Sequence, residues 1–332
     1  MSAKALLTDT FARTISYLRV SITDQCNLRC MYCTPDGIKK LANIDLLTYE
    51  EILRIVTLAV GMGIKKVRLT GGEPLVRRGV MDFIRQLAAL PGLTEIRLTT
   101  NGVLLADMLD DLYEAGIRKL NISLDSLQAD KFRRITGRDN FTRVWHGIEQ
   151  AQKMGFTAIK INVVAMLGVN DDEILDFAKL TITRPLQVRF IEFMPMGAAA
   201  ANQRDKFISA AEIIQRIASL GELTPVARHK LHGPARILKL PAAAGTIGLI
   251  SPLSNHFCDT CNRLRLTSEG RLRACLLTDN ETDLKHVLRT GGSDTEIKKL
   301  IFETVKNKPR GHLLSQTQKT GNCHGSMSRI GG

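Results

Sequence analysis

The sequence predicts an α/β fold built on a parallel sheet, and three observations predict it. Six short strand-like runs recur in order from residue 17 to residue 193. Helix-like segments, whose apolar residues return every third and fourth position, lie between them. Glycines punctuate the ends of those segments, and regular alternation of strand and helix is the pattern of parallel sheets. The expected strands are YLRVSIT (17–23), KVRLTG (66–71), EIRLTT (95–100), KLNISL (119–124), AIKINVV (158–164) and QVRFIEF (187–193). Helical segments include YEEILRIVTLAVGMG (49–63), GVMDFIRQLAAL (79–90) and FTRVWHGIEQAQKMG (141–155). Gly61, Gly63, Gly116 and Gly155 stand where a helix stops and turns back toward the next strand. Six such units suit either a doubly wound sheet or an incomplete barrel, and in both, ligands belong at the strands' C-terminal ends.

The chain has 332 residues, 44% of them hydrophobic and 24% charged, enough for one large core or two. After about residue 195 the rhythm gives way to small-residue connectors such as MGAAAANQ and PAAAGTIG, which divides the chain into residues 1–195 and 196–332. Asp9, Arg13, Arg19 and Asp24 interrupt the first thirty residues, so no apolar run of signal-peptide length occurs there. A cytoplasmic protein that spans no membrane is expected. In that compartment thiols stay reduced, and clustered cysteines point to metal or catalysis rather than disulfides. Lys and Arg total 46 against 33 Asp and Glu, a net charge of +13 that favours an anionic partner. Aromatic residues make up only 5%, and no run alternates basic and aromatic positions as a single-strand stacking platform would. On charge alone nucleic acid, nucleotide and acidic membrane all qualify, and a solvated basic surface is the plain alternative.

CNLRCMYC (26–33) holds three of the seven cysteines in eight positions, directly after the first strand. A structural zinc site wants four ligands, usually as two pairs across a long loop. Closely spaced cysteines instead hold iron–sulfur clusters, and three of them around four irons leave one iron open to a small molecule. Zinc completed by a distant Cys or His is the competing reading. The motif, with an aromatic just before its third cysteine, resembles the cluster loop of radical S-adenosylmethionine (SAM) enzymes. That resemblance implies an incomplete (βα)6 TIM-like barrel, a 4Fe-4S cluster on Cys26, Cys30 and Cys33, and cleavage of SAM to a 5′-deoxyadenosyl radical. It further implies SAM contacts at Gly72 in GGEP (71–74), Ser123 in NISLDS, Met194 and Tyr32, with Glu73 as an acceptor for the SAM ammonium group.

A second trio, Cys258, Cys261 and Cys275, has two and then thirteen residues between its members. Cys323, His256 or His324 would complete a zinc site, so zinc stays open from spacing alone. RLRL (263–266) and RLR (271–273) flank the turn-like TSEG and read as a hairpin. Alternation puts Cys261, Arg263 and Arg265 on one face, and Arg271, Arg273 and Cys275 likewise, which holds arginines beside the metal. Guanidinium groups there can grip phosphate or carboxylate in bidentate fashion.

Two three-cysteine clusters, the second with CNRLR, resemble the GTP 3′,8-cyclase (MoaA) family of molybdenum cofactor biosynthesis over roughly residues 14–332. The resemblance implies conversion of GTP to (8S)-3′,8-cyclo-7,8-dihydroguanosine 5′-triphosphate, begun by hydrogen abstraction from C3′. A second 4Fe-4S cluster, on Cys258, Cys261 and Cys275, would bind the guanine. Implied GTP contacts are Arg19, Arg68, Thr99, Lys160, Arg263, Leu264 and Arg265. Unpaired strand cations pointing into a barrel are expensive without an anionic partner, which agrees with a triphosphate. Implied partners are GTP as substrate, cyclic pyranopterin monophosphate synthase (MoaC) downstream and an electron donor such as flavodoxin or ferredoxin, with no nucleic acid and no membrane, and the family allows a homodimer. Gly331-Gly332 matches a tail that reaches toward the active site, and Cys323 is expected as a free thiol. Two other readings compete: a radical SAM enzyme acting on peptides through auxiliary clusters, and a zinc-containing nucleic-acid-binding protein.

Overall fold

Alternation along the strands sorts the chain into an apolar outer layer and a polar interior. On β1 (Tyr17–Ser21) and β2 (Lys66–Thr70), Leu18, Val20, Val67 and Leu69 enter one large core, and Arg19 and Arg68 take the opposite parity. Four further strands, β3 (Glu95–Thr100), β4 (Lys119–Ser123), β5 (Ala158–Ala165) and β6 (Gln187–Glu192), follow side by side and parallel. The computed structural model describes residues 6–35, 41–194, 196, 203–227, 233–312 and 327–331.

Helices α1 (Tyr49–Gly61), α2 (Val80–Ala88), α3 (Leu109–Glu114), α4 (Ala129–Thr136), α5 (Phe141–Lys153) and α6 (Ile174–Thr183) connect these strands. Their apolar faces, among them Ile52, Ile55, Phe83, Ile84, Val144, Ile148 and Phe177, cover the outside of the sheet. A capping box closes the start of α1: Thr48 Oγ1 accepts from Glu51 N, and the Glu51 carboxylate accepts from Thr48 N. At two of the expected helix stops the backbone is left-handed, φ +88° at Gly116 and +79° at Gly155, a conformation that glycine adopts at no steric cost.

The chain after residue 196 extends both edges of the same sheet. Beyond β6 lies β9 (Thr246–Ile250), parallel to it, then β8 (Arg236–Lys239) and β7 (Thr224–Pro225). Beyond β1 lies β10 (Arg263–Leu266), also parallel, then β11 (Arg271–Arg273) and β12 (Glu281–Asp283). The predicted hairpin is present as antiparallel β10–β11. The parallel seating of β10 against β1, and of β9 against β6, was not foreseen: periodicity identifies a strand but carries no signal for its neighbour. Among the described residues the twelve strands run from β12 to β7 without closing, so the α/β barrel is incomplete, as expected. Helices α7 (Ala210–Ile217), α8 (Leu284–Arg289), α9 (Asp294–Lys306) and α10 (Met327–Ile330) complete the described elements. Glu192, at the end of β6, ties this later region down by accepting from Ala210 N, Leu253 N and Ser254 N. Among the described residues no helix is long and apolar enough to cross a membrane.

Gly72 shows how closely the loops at the strand ends are fitted. A Cβ built on it would stand 2.2 Å from Gln25 O and 2.6 Å from Asp24 O, backbone atoms of the loop that enters the first cysteine motif. Gly72→Ala is expected to lower stability by ~2–3 kcal/mol, read as a drop in the denaturant midpoint, and to reduce iron loading at Cys26.

Candidate active site

The first cysteine loop leaves β1 and is fixed at several points. Arg29 N and Met31 N donate to Thr136 O and Ile135 O of the α4 end, and Cys33 N and Thr34 N both donate to Cys30 O. Asn101, in the turn after β3, donates through Nδ2 to Cys26 Sγ and to Asn27 Oδ1. Its own amide donates to Glu73 Oε2 at 2.6 Å, and the Glu73 carboxylate also accepts from Thr100 Oγ1 and Leu75 N. Glu73 thus joins the loops after β2 and β3 beneath the cysteines. Burial pushes its carboxyl up to about 7 against those three hydrogen bonds. Burial also raises all three thiols, Cys33 to about 12, and neighbouring carboxylates add to the effect, Glu73 at Cys26 and Asp125 at Cys30.

The second trio has the opposite electrostatic setting. Burial raises Cys258. At Cys261 burial acts upward too, but Arg263 and Lys308 outweigh it and bring the thiol down to about 6. Among the described residues, no three Cys, His, Asp or Glu groups converge as one metal ion requires. Within each trio the thiols still act on one another electrostatically. Zinc, with bonds of ~2.3 Å, needs sulfurs about 4 Å apart. A four-iron cluster spreads its thiolates wider, and all six of these cysteines are free, so the donor sets fit clusters.

Between the trios lies one cavity of about 260 Å³, lined from both cysteine loops and from eight strands. Its floor is cationic. Arg265, Arg19 and Arg68 line it in a single register row across β10, β1 and β2, and Arg97 on β3 continues that row into an adjoining cavity. The adjoining row reads Arg263, Tyr17, Lys66 and Glu95. Strands stand ~4.8 Å apart, and like charges directly opposite one another oppose pairing. Burial and this mutual repulsion hold Arg19 down to about 10 and Arg189 to about 9. Glu95 offsets one end of the array through Arg97 at 2.6 Å, Lys119 at 2.7 Å and Lys66 at 3.6 Å. The Tyr17 phenol, although raised by burial, is drawn down to about 7 by Arg68, Arg19, Lys66 and Arg263.

Residues 20–181 match the family model of the Radical SAM superfamily, and residues 186–314 match Molybdenum Cofactor Synthesis C. A GTP 3′,8-cyclase of Moorella thermoacetica is 48% identical over 325 residues, covering 98% of this chain and 99% of that protein. This chain belongs to the GTP 3′,8-cyclase family. A relative of the same name from Thermodesulfovibrio yellowstonii is 49% identical over 306 residues, covering 91% and 94% of the two chains. Streptococcus suis SuiB bound to S-adenosylmethionine matches with a TM-score of 0.61 at 14% identity. That match covers 86% of this chain but only 66% of SuiB, and it is a likeness of fold.

Within this member of the cyclase family, most residues singled out from sequence meet in the cavity. Tyr32, Ser123 and Met194 line it from one side, and Arg19, Arg68, Thr99, Arg263 and Arg265 line the rest. Tyr32 Oη donates to Asp125 Oδ2 at 2.7 Å, and Arg68 donates to Thr99 Oγ1 at 3.2 Å. Four sets of residues stand elsewhere than on this cavity's lining. Gly72 is not among the lining residues; its amide donates to Thr23 O, and its Cα packs closely against the backbone of residues 24–25. Leu264 turns its side chain into the core, in register with Leu18, since its parity is opposite to that of Arg263 and Arg265. Lys160 faces a smaller adjoining cavity of about 180 Å³ with Arg97, Lys119 and Arg189. Arg271 and Arg273 do not join the cavity, because β12 neutralises them through Asp283 at 2.8 Å and Glu281 at 2.5 Å.

Residues missed from sequence are Tyr17, Arg189 and Asn101. Tyr17 and Arg189 share strand parity with Arg19 and with Asn162, so alternation carried the signal for them. Arg265 also donates to Gly331 O, which brings the C-terminal tail to the cavity. Cys323, His324 and Gly332 lie outside the described residues.

The cation array predicts its own titration. Absorbance near 295 nm, taken as a difference against Tyr17→Phe, is expected to show one phenol ionising near pH 7. Inorganic triphosphate is expected to move that step upward, because added negative charge disfavours the phenolate. A Tyr17 that titrates near 10 without the anion contradicts the array's effect.

Proposed function

We propose that the cavity holds SAM at the first trio and GTP between the trios, with the triphosphate on the arginine rows. The protein is a GTP 3′,8-cyclase, a radical SAM enzyme of the first step of molybdenum cofactor biosynthesis. Its cofactors are two 4Fe-4S clusters and SAM. With these bound, the enzyme supplies a 5′-deoxyadenosyl radical that takes hydrogen from C3′ of GTP and leads to (8S)-3′,8-cyclo-7,8-dihydroguanosine 5′-triphosphate.

The observation that carries the assignment is the register row of four arginines running from one cysteine-bearing edge into the barrel. A triphosphate near −4 would relieve the repulsion within it. Buried donors fixed on strands need no reorganisation when the ligand arrives. Arg263 and Arg265 precede Cys275 on the same hairpin, which supports guanine at the second trio when the phosphates lie on these arginines. Tyr32 and Met194 offer an aromatic and a thioether surface for adenine, and Ser123 a hydroxyl for the SAM ribose or carboxylate. Cyclic pyranopterin monophosphate synthase downstream, a flavodoxin or ferredoxin as donor, and a cytoplasmic location complete the reading.

Reduced, reconstituted protein is incubated anaerobically with SAM and 3′-deuterated GTP. One deuterium is expected in 5′-deoxyadenosine, and the guanine H8 resonance is expected to leave the aromatic region of the product. Cys26→Ala is expected to abolish 5′-deoxyadenosine formation altogether. Arg265→Ala is expected to weaken GTP binding ~10- to 100-fold by calorimetry while SAM cleavage without GTP persists, in keeping with the loss of a charge-assisted contact. An unchanged dissociation constant rejects the phosphate role of Arg265.

A further inference from the structure

The second trio is framed by two buried cations that do not line the cavity. Arg13 is paired with Asp9 at 2.6 Å, and its guanidinium donates to Cys258 O at 2.7 Å, Pro309 O at 2.7 Å and Arg310 O at 2.9 Å. Lys308, 3% exposed, donates through Nζ to Arg263 O at 2.9 Å and to Ala274 O. Those carbonyls lie at Cys258 itself, two residues after Cys261, and one residue before Cys275. Each cysteine-bearing segment of the trio is thereby held by a buried cation.

The two cations differ in one respect. Asp9 compensates the charge of Arg13, whereas among the described residues the groups that act most strongly on Lys308 are Cys261, Cys275, Arg13 and Arg263, with no carboxylate in ion-pair contact. Two carbonyls satisfy hydrogen bonds of an ammonium group but do not neutralise it, and a buried charge without a counter-charge is costly. A cluster on three thiolates is anionic, and it gains one further negative charge on reduction. A fixed cation beside it therefore favours the reduced form. At the first trio the neighbouring ionisable groups are the carboxyls of Glu73 and Asp125, raised by burial to about 7 and about 6, and in their ionised forms they act in the opposite sense.

We propose that Lys308 is a positioning residue for the second cluster: it clamps the strands that carry Cys261 and Cys275 and holds that cluster's reduction potential above that of the first. The inference rests on the reading that both trios carry clusters. It leaves the lower potential at the first cluster, where an electron must cleave the SAM sulfonium, and makes the second the easier to reduce.

The test is an EPR-monitored dithionite titration of the anaerobically reconstituted full chain, with iron analysis, for wild type, Lys308→Met, Lys308→Gln and Lys308→Arg. Expected are about eight irons in wild type, with the second cluster reduced first. Lys308→Met is expected to shift the second cluster's midpoint to a more negative potential and leave the first unmoved, and Lys308→Arg to restore it. Should Lys308→Met lose four irons, Lys308→Gln, which keeps a donor without the charge, carries the measurement, and a lowered midpoint supports the inference. Two clusters whose potentials are unaltered in the neutral variants overturn it. A wild type with a single cluster overturns the reading beneath it, and the inference with it.

Discussion

Parallel pairing of β10 with β1 is the interaction on which the site depends. It takes a strand from late in the chain, with cysteines just before it and just after its hairpin, and seats it in register beside the strand that leads into CNLRCMYC. Register then does the rest. Tyr17 meets Arg263 and Arg19 meets Arg265, so arginines from opposite ends of the sequence become neighbours on the inner face while Leu18 and Leu264 close the core behind them. A slip of one residue would exchange the two faces, burying arginine in the core and turning leucine to the cavity. The apolar packing that fixes the sheet therefore also fixes where the charges stand.

The cost of that arrangement is visible in the free protein. Arginines in one row repel each other, burial weakens their charged forms, and a tyrosine is drawn toward ionisation. Lys160, deeper in the barrel, is pushed down to about 6 by burial and by Arg189, Arg97 and Arg68. Such strain is stable only because the core and the strand ladders over-determine the backbone. It also means that a polyanion finds its donors already aimed, and that the free energy of relieving repulsion adds to binding. Glu95 limits the effect by neutralising the β2–β4 side, which leaves the stronger field toward β1 and β10, nearest the cysteines.

Much of this was legible from sequence because period-2 alternation is local. The six barrel strands and the side of Arg19 and Arg68 followed from it, and the two cysteine trios from their spacing. What alternation does not encode is which strand lies next to which. The parallel seating of β9 and β10 arises from long-range packing, and so the row from Arg265 to Arg97 emerged only in three dimensions. Leu264 turns its side chain into the core, as its parity, opposite to that of Arg263 and Arg265, requires. Arg271 and Arg273 share the parity of Cys275, but the carboxylates that claim them sit on β12, a three-residue strand with no apolar signature. Gly72 is required by the neighbouring backbone of residues 24–25, a constraint that a glycine in a turn does not reveal.

The central claim is that one strand pairing brings two open clusters to the two sides of a single cavity. Pulsed EPR on the fully reduced enzyme measures it most directly. The account predicts a resolved dipolar interaction between the two reduced centres that vanishes when Cys258, Cys261 and Cys275 are replaced by Ala. A spectrum equal to the sum of two isolated centres would contradict it.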